Sequence, residues 1–598
     1  MKSRTSCFDG RFSLHLLRRF WPLWLLWLAI LLIVPLGLHE NYEGLDALQT
    51  MDGIRCELLD AGEVVVWLSF VMGALMAMGM LSWLYFPRDC ALVSSLPLRR
   101  ETVYFTAVLT GLVPMLVCDV LVFLLLLALY GGSGAGTQYF LWWLEMAVLA
   151  NVGSYGFACF CGTLTGSILV LPAVYVVLAC AAALFEASVH GLFDELLYGY
   201  MSGDLHFDFL SPPIWLVSRA WRKTLVPADF KIGVAGSYAP TVLDYLAGLC
   251  AAGVIFVLLG VLILRRRHME TAGEVVAVPV LRPVFRACMA LGAGLLGSVL
   301  FLEAFACHLH GRTKFVLLLV LLVVFAALGY FIAEMLIKKT LKVFDHGWKQ
   351  FAILCAVLIA FAVLTELDVT GFETRVPEAA GIESVDLSDG WQVKEPETIA
   401  AILDFHRGVI DHKKANEAAG TLQSETVWLS YQLKNGETLR RLYLLPLSDR
   451  HRADPASDVK AWERVLNLPE LLLLRVRADR PPTADTLEDA WVEVYSIAEN
   501  RYKRSESVPL TRDEALSLYY DAILPDAEAG RIGRHRIWSG GETTSAQTNL
   551  EIAMTIRSGT ASGRSASRAL DVRVCSDSAL TLKWLKDKLD LEPTPGLW

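Results

Sequence analysis

Nine long apolar runs dominate the N-terminal part of the chain, and they restrict its fold more than any other feature. They lie at roughly 20–38, 63–86, 104–130, 139–161, 166–187, 242–264, 287–308, 315–336 and 350–366. About 20 helical residues, rising ~1.5 Å each, cross the ~30 Å hydrocarbon core of a bilayer. Inside that core every backbone N–H and C=O must find its partner within the protein, which leaves the α-helix as the natural spanning form. The runs therefore predict a polytopic helical bundle. The fourth and fifth are parted only by Gly162, Thr163, Leu164, Thr165 and Gly166, so two spans or a re-entrant pair both fit there.

The charge distribution sets a boundary after the ninth run. The 598 residues are 55% hydrophobic and 19% charged, against about 25% charged in an average soluble protein. From Leu367 onward there are 29 Lys and Arg against 37 Asp and Glu, net −8, whereas the preceding part is net −1. The expected organisation is a core bundle of about six spans over 1–264, then a basic segment and three further spans over 265–366. An α+β domain follows over 367–598. Most of the twelve cysteines (Cys118, Cys159, Cys161, Cys180, Cys250, Cys288 and Cys355 among them) sit in apolar runs, with only Cys56 and Cys575 clearly outside. There they act as small apolar residues and not as a disulfide framework.

Loop charges orient the spans. Lys2, Arg4, Arg11, Arg18 and Arg19 precede the first run. Glu40, Glu43, Asp46, Asp52, Glu57 and Asp60 follow it against one Arg55. Lys and Arg are retained on the cytoplasmic side, so the N-terminus is expected inside. Alternation then places Arg88, Arg99 and Arg100 inside, with Arg265, Arg266, Arg267, Arg282 and Arg286, and with Lys338, Lys339, Lys342 and Lys349. Arg312 and Lys314 are a weak exception. Nine spans leave the C-terminal domain outside the cytoplasm. Ahead of the first run, Phe12, Leu14, Leu16, Leu17 and Phe20 alternate with basic residues, which fits an interfacial amphipathic helix or a plain basic anchor.

The polar stretch SSLPLRRETVYF, Ser94 to Phe105, separates the second and third runs. Pro97 can occupy the first turn of a helix without losing a hydrogen bond, and Ser94 or Ser95 can cap that turn. A short capped helix against the inner membrane surface is expected, unless the stretch is simply a basic inner loop. S-L-P-L-R-R-E in this position resembles the permease subunits of bacterial type-2 ATP-binding-cassette (ABC) exporters. In that family the loop carries a coupling helix that docks on the ATPase. The resemblance gives that role to Leu96, Pro97, Leu98, Arg99, Arg100 and Glu101.

A second inner segment, RRRHMETAGEVVAVPVLRPVFR (Arg265 to Arg286), is similar to one branch of these permeases through Glu270, Ala272, Gly273, Glu274 and Leu281 to Phe285, Arg282 included. That branch has extra spans and an additional C-terminal domain, and GFETRVPEAAGIESV (Gly371 to Val385) resembles the start of that domain. The family core has six spans, so the last three spans and the outer domain lie beyond it. The resemblance implies a separate ATPase subunit carrying ATP and Mg²⁺, a dimer with itself or a related permease, a place in the bacterial plasma membrane, and export of a peptide, antibiotic or lipid-like substrate. It implies no cofactor on this chain and no nucleic-acid partner.

The chain has no G-x-x-x-x-G-K-[ST] loop of its own. WSGGE (Trp538 to Glu542) faintly resembles the ATPase signature and reads as a turn. Asp119, Glu145, Glu303 and Glu334 fall within the apolar runs, with no basic residue facing them from an obvious mid-span position. A carboxylate there usually faces the bundle interior, as part of a path or as polar glue between helices. GALMAMG (Gly73 to Gly79) and ALGAGLLG (Ala290 to Gly297) permit close helix packing. The aromatic and acidic outer loop, 187–241, reads as an interfacial belt or an exit gate.

In the C-terminal domain, Thr398 to Lys414 has the periodicity of an amphipathic helix. Thr426 to Pro446 reads as two strands around Asn435-Gly436. DEALSLYYDAIL and LTLKWLKDKL read as helices, EDAWVEVYSIA and NLEIAMTIRSG as strands. His406, His412, His451 and His535 lack metal-ligand spacing, and no nucleophile–base pair is recognisable, so a binding or sensing module is expected. Two other classes stand beside the exporter: a non-transporting membrane sensor or scaffold whose outer domain binds a ligand or partner, and a polytopic membrane enzyme, for which no catalytic cluster is visible.

Overall fold

The computed structural model describes residues 8–597 apart from 43–46, 135, 202–206, 218–241, 307–308, 310, 341–347, 388–390, 420–423, 449–450, 452–453, 499–500, 535–536, 538–542, 560–564 and 592–594. Lys2, Arg4, Glu43, Asp46, Lys342, His535, WSGGE and much of the outer loop thus lie outside the described residues. Among the described residues, nine helices are long and apolar enough to cross a membrane: α1 Gly10–Leu38, α2 Gly53–Met80, α3 Arg100–Tyr130, α4 Thr137–Leu164, α5 Val170–Leu196, α6 Val242–Arg266, α7 Pro279–Phe305, α8 Arg312–Lys338 and α9 Trp348–Glu366. This is the architecture of a multi-pass membrane protein. The fourth and fifth runs form two full-length helices. The second begins earlier than its hydropathy suggests, and Cys56 lies on it.

At the start of α1, the Asp9 carboxylate caps the helix, accepting from the N–H groups of Arg11 (3.1 Å) and Phe12 (2.9 Å). The helix breaks at Phe20 (φ −115°, ψ 16°), two residues before Pro22. Proline cannot donate the intrahelical bond and crowds the preceding turn. The basic stretch 10–19 is therefore a separate helical segment, bent away from the apolar run.

The chain divides into two compact units. The first holds Met1–Val189, Leu205–Ser298 and Leu321–Leu358. Here α2 and α4 are the inner helices, with 56% and 67% of their apolar windows buried against 17–33% for the other seven. Close approach depends on small residues. Gly153 faces the backbone of Leu249, and Gly156 that of Gly253, where α4 crosses α6; Gly73 lies against Ser154 and Tyr155. Gly294 and Gly297 of α7 meet Ala326 and Phe325 of α8. Where a Cβ would strike backbone, no rotamer change relieves the clash, and in apolar surroundings packing is the main force holding helices together.

The second unit holds His190–Asp204, Val299–Val320 and Ile359–Trp598. Its C-terminal region is α+β, with two antiparallel sheets. In lobe 1, β1 Ile382–Leu387, β2 Gln392–Val393, β3 Ser424–Leu433 and β4 Thr438–Pro446 are ordered β2-β1-β3-β4, covered by α10 Pro396–Asp411 and α11 Asp458–Leu466. In lobe 2, β5 Leu487–Ala498, β6 Arg501–Pro509, β7 Thr543–Gly559 and β8 Ser565–Cys575 are ordered β6-β5-β7-β8, with α12 Arg512–Leu518 and α13 Ala579–Leu589. The expected helices and strands all appear. Gly436 takes φ +84° in the hairpin turn after Asn435, a conformation glycine adopts without penalty.

Lobe 1 buries a histidine. His406 is fully buried between two tyrosine hydroxyls, with Tyr431 Oη 3.0 Å from Nδ1 and Tyr443 Oη 2.8 Å from Nε2. Burial, with Arg441 and Arg407 nearby, pulls its pKa down to about 3 from 6.5. The neutral form is thus favoured in the fold. Between the two values the unfolded chain binds the extra proton, so stability rises with pH through that window and is lost as pH falls.

The buried histidine and the packing glycines can each be probed. Lobe 1 should lose about 2 kcal/mol between pH 7 and pH 5 through His406, at ~1.4 kcal/mol for each pH unit over which only the unfolded chain carries the proton. Hydrogen exchange of β3 and α10 at the two pH values should show that difference, and His406→Gln should shrink it. Gly156→Val should destabilise the bundle by about 1–3 kcal/mol through overpacking, read as a lower thermal midpoint in detergent.

Candidate functional site

The SLPLRRE loop differs from its expected form. The short helix lies one step earlier, at Pro87–Ser94, and its first-turn proline is Pro87. Ser94 and Ser95 do not cap a following helix; their hydroxyls donate back to the carbonyls of Cys90 (2.7 Å) and Leu92 (2.6 Å). Pro97 ends that helix and does not start one. A proline disfavours helical backbone at the residue before it and is common just past a helix end. Helix α3 then begins at Arg100, with Arg99 as its N-cap and Glu101 in its first turn, where a carboxylate suits the positive end of the helix dipole. Leu96, Pro97, Arg99 and Arg100 are exposed, and Leu98 is half-buried.

The second segment meets this loop. Glu101 Oε1 accepts from Arg265 Nε at 2.8 Å, and Arg100 Nη1 donates to the Arg267 carbonyl at 3.2 Å. The 271–277 stretch pairs with the end of α4: the N–H of Gly166 donates to the Glu274 carbonyl (2.9 Å), that of Gly273 to the Gly166 carbonyl (2.6 Å), and that of Ala277 to the Leu164 carbonyl (2.9 Å). Gly273 has φ +89°, and a Cβ on Gly166 would run into the Thr271 carbonyl. Glu274 is paired with Arg282 at 2.5 Å, while Glu270 is exposed.

By sequence Arg267 is one inner charge among several, yet it organises this end of the bundle. It is 2% exposed. Nη1 donates to the carbonyls of Thr165 (2.9 Å) and Thr163 (3.2 Å), and Nη2 to that of Leu84 (3.0 Å). These are carbonyls that a helix end leaves without intrahelical partners. One planar guanidinium with five donors can serve several of them at once. Tyr85 Oη donates to the Gly162 carbonyl (3.2 Å) beside it. The triplet Arg265-Arg266-Arg267 is visible in the sequence, but not that its third member turns inward.

The four carboxylates of the apolar runs separate into two kinds. Asp119 is buried and accepts from Trp27 Nε1 (3.0 Å) and Asn151 Nδ2 (2.7 Å), joining α3 to α1 and α4. Glu334 is buried beside Arg286 and pairs with Lys338 at 2.8 Å, so its basic partners come from the span ends and not from mid-span positions. Glu145 and Glu303 are exposed and have no ion-pair partner among the described residues. Of the two exceptional basic residues, Lys314 pairs with Glu195. Among the described residues no three His, Cys, Asp or Glu side chains gather as metal ligands.

No family model, curated protein or solved structure matches the chain.

Removing Arg267 while keeping its bulk should free the end of α4. Arg267→Met leaves three backbone carbonyls unpaired in a buried place, each worth about 1 kcal/mol or more. The expected result is a thermal midpoint lower by several degrees and faster hydrogen exchange over 162–166 and 271–277.

Proposed function

We propose that this chain is the membrane-spanning permease subunit of a type-2 ABC exporter, driven by a separate ATPase subunit. One observation supports the reading most. The SLPLRRE loop and the 265–286 segment, more than 150 residues apart, are cross-bonded through Glu101–Arg265 and Arg100–Arg267. Around them Leu92 (66%), Leu96 (38%) and Val280 (79%) are exposed next to basic residues. Exposed apolar side chains on segments that also carry charge suit a protein partner. A push on this loop would reach α3 at its first turn and α6 at its last, through a bonded and partly buried junction. Switching between inward-open and outward-open arrangements needs such a rigid lever acting on two helices at once.

The proposed side rests on charge. Arg88, Arg99, Arg100 and Arg265 to Arg267 favour a cytoplasmic junction, and nine spans would then leave the C-terminal lobes outside the cytoplasm. The exposed carboxylates Glu145 and Glu303 would face lipid in a lone chain, at considerable cost. A dimer, with a second copy or a related permease, would cover such positions.

The test is purification of the chain from its native membrane in mild detergent, with co-purifying proteins identified and ATP hydrolysis assayed. An ATPase subunit should accompany the wild type, and Leu96→Asp or Arg99→Glu should reduce its recovery at least about tenfold, a loss of ~1.4 kcal/mol or more. Recovery of the chain with a ligand-binding partner and no ATPase would replace the exporter with a receptor or scaffold.

A further inference from the structure

The two C-terminal lobes share one topology. Each runs strand, strand, helix, strand, strand, helix, and each sheet places its second strand outermost, then the first, third and fourth, all antiparallel. The likeness extends to residues. VWLSYQLKNG (427–436) aligns without a gap on LEIAMTIRSG (550–559), so the buried trio Val427, Leu429 and Tyr431 falls on the buried trio Leu550, Ile552 and Met554. The ladders agree with that alignment: Val385 pairs with Tyr431 and Leu387 with Leu429 in lobe 1, Ala490 with Met554 and Val492 with Ile552 in lobe 2. The first helix of each lobe buries residues at the same spacing, Ile399, Ile402, Leu403 and His406 against Ala515, Leu518, Tyr519 and Ala522.

The copies differ in which of their shared positions bury polar side chains. On β4 the buried residues include Arg441 and Tyr443; on β8 they are Leu570, Val572 and Val574. By ladder position Arg441 stands where lobe 2 has Val572, since Leu429 pairs with Arg441 and Ile552 with Val572. His406 stands where lobe 2 has Ala522, and Tyr431 where it has Met554. Lobe 2 thus folds with apolar groups at positions where lobe 1 carries a guanidinium, an imidazole and two phenols. A buried polar network costs desolvation that apolar groups avoid, so its presence at these positions in one copy alone calls for a separate cause.

The cause lies against it. Arg441 Nη2 donates to the carbonyls of Phe372 (2.6 Å) and Arg375 (3.2 Å), and its guanidinium stacks 3.9 Å from the Phe372 ring. Tyr443 packs on Tyr198 at 5.2 Å between ring centres. Gly199, at φ +75°, lies so close to the Tyr443 ring that a Cβ would overlap it, and its carbonyl accepts from the Leu442 N–H of the β4 edge at 3.3 Å. Glu373 ties the two visiting segments together, accepting from the Tyr198 N–H (2.8 Å) and from Lys413 Nζ (2.7 Å and 2.8 Å). Asn416 donates to Tyr198 Oη (3.1 Å) and to Asp458 (2.8 Å).

We infer that the C-terminal region is two copies of one ββαββα fold, and that the first copy has exchanged an apolar core for a polar socket that holds segments 198–200 and 372–375 of its own chain. The ligand of the socket is internal: two backbone carbonyls for Arg441, and an aromatic-glycine turn for Tyr443. The second copy, lacking those groups, keeps only the fold.

The experiment is hydrogen exchange of the full chain in detergent, on two variants. Arg441→Val and Tyr443→Val, combined with His406→Ala and Tyr431→Met so that no buried imidazole loses its partner, give lobe 1 the residues of lobe 2. Gly199→Val obstructs the socket from the segment side and changes no residue of the lobe itself. In both, amides of 197–200 and 372–375 should exchange at least about tenfold faster, while β1, β3 and α10 keep their protection. Loss of protection in β3 and α10 in the fourfold variant would mean that the polar groups support the lobe itself and would overturn the socket. So would unchanged exchange of 197–200 in Gly199→Val.

Discussion

Every helix that leaves the hydrocarbon ends with carbonyls that have no partner, and the way this chain answers that constraint organises the rest of its bundle. At the shared end of α2, α4 and α6 the answer is Arg267, whose guanidinium serves carbonyls at 84, 163 and 165. Strand-like pairing of 164–166 with 273–277 covers others. The loop after α2 and the segment after α6 thereby become one bonded junction. A surface built on such a junction can transmit force, because no member moves without breaking bonds in a poorly solvated place.

The same rule governs the polar groups deeper in the protein. Asp119 is held by an indole and an amide, Glu334 by an arginine and a lysine. Each is satisfied locally by neighbouring helices, as expected of polar residues that hold a bundle together. Glu145 and Glu303 differ, being exposed, and so point outward to whatever surrounds a single chain. The contrast divides four similar-looking carboxylates into structural and outward-facing pairs.

Lobe 1 and lobe 2 carry out a comparison that sequence substitution would otherwise supply. The same strand order and the same buried spacing hold with Val, Met and Ala in one and Arg, Tyr and His in the other. Fold is therefore carried by the alternation of buried positions, which tolerates large changes of residue type. The polar set answers to its neighbours, the segments at 198–200 and 372–375, and not to the sheet.

Much of this protein was legible in one dimension. The nine long apolar helices among the described residues, the α+β region after them, the Asn-Gly hairpin and the close-packing glycines follow from local periods, run length and backbone permissiveness, all of which act over a few residues. The misplaced helix before Pro97 shows the limit even there, since proline marks a helix end as readily as a start. Other features lay beyond reach: that Arg267 turns inward while Arg265 pairs with Glu101, that Glu334 has cations opposite, that His406 sits between two tyrosines, and that the two lobes repeat. Most of these depend on which residues, far apart in the chain, share a few ångströms, and a charge or hydroxyl takes its role from the partner it meets there. Local sequence decided the elements; tertiary packing alone decided which polar groups became clamps, which became a socket and which were left facing outward.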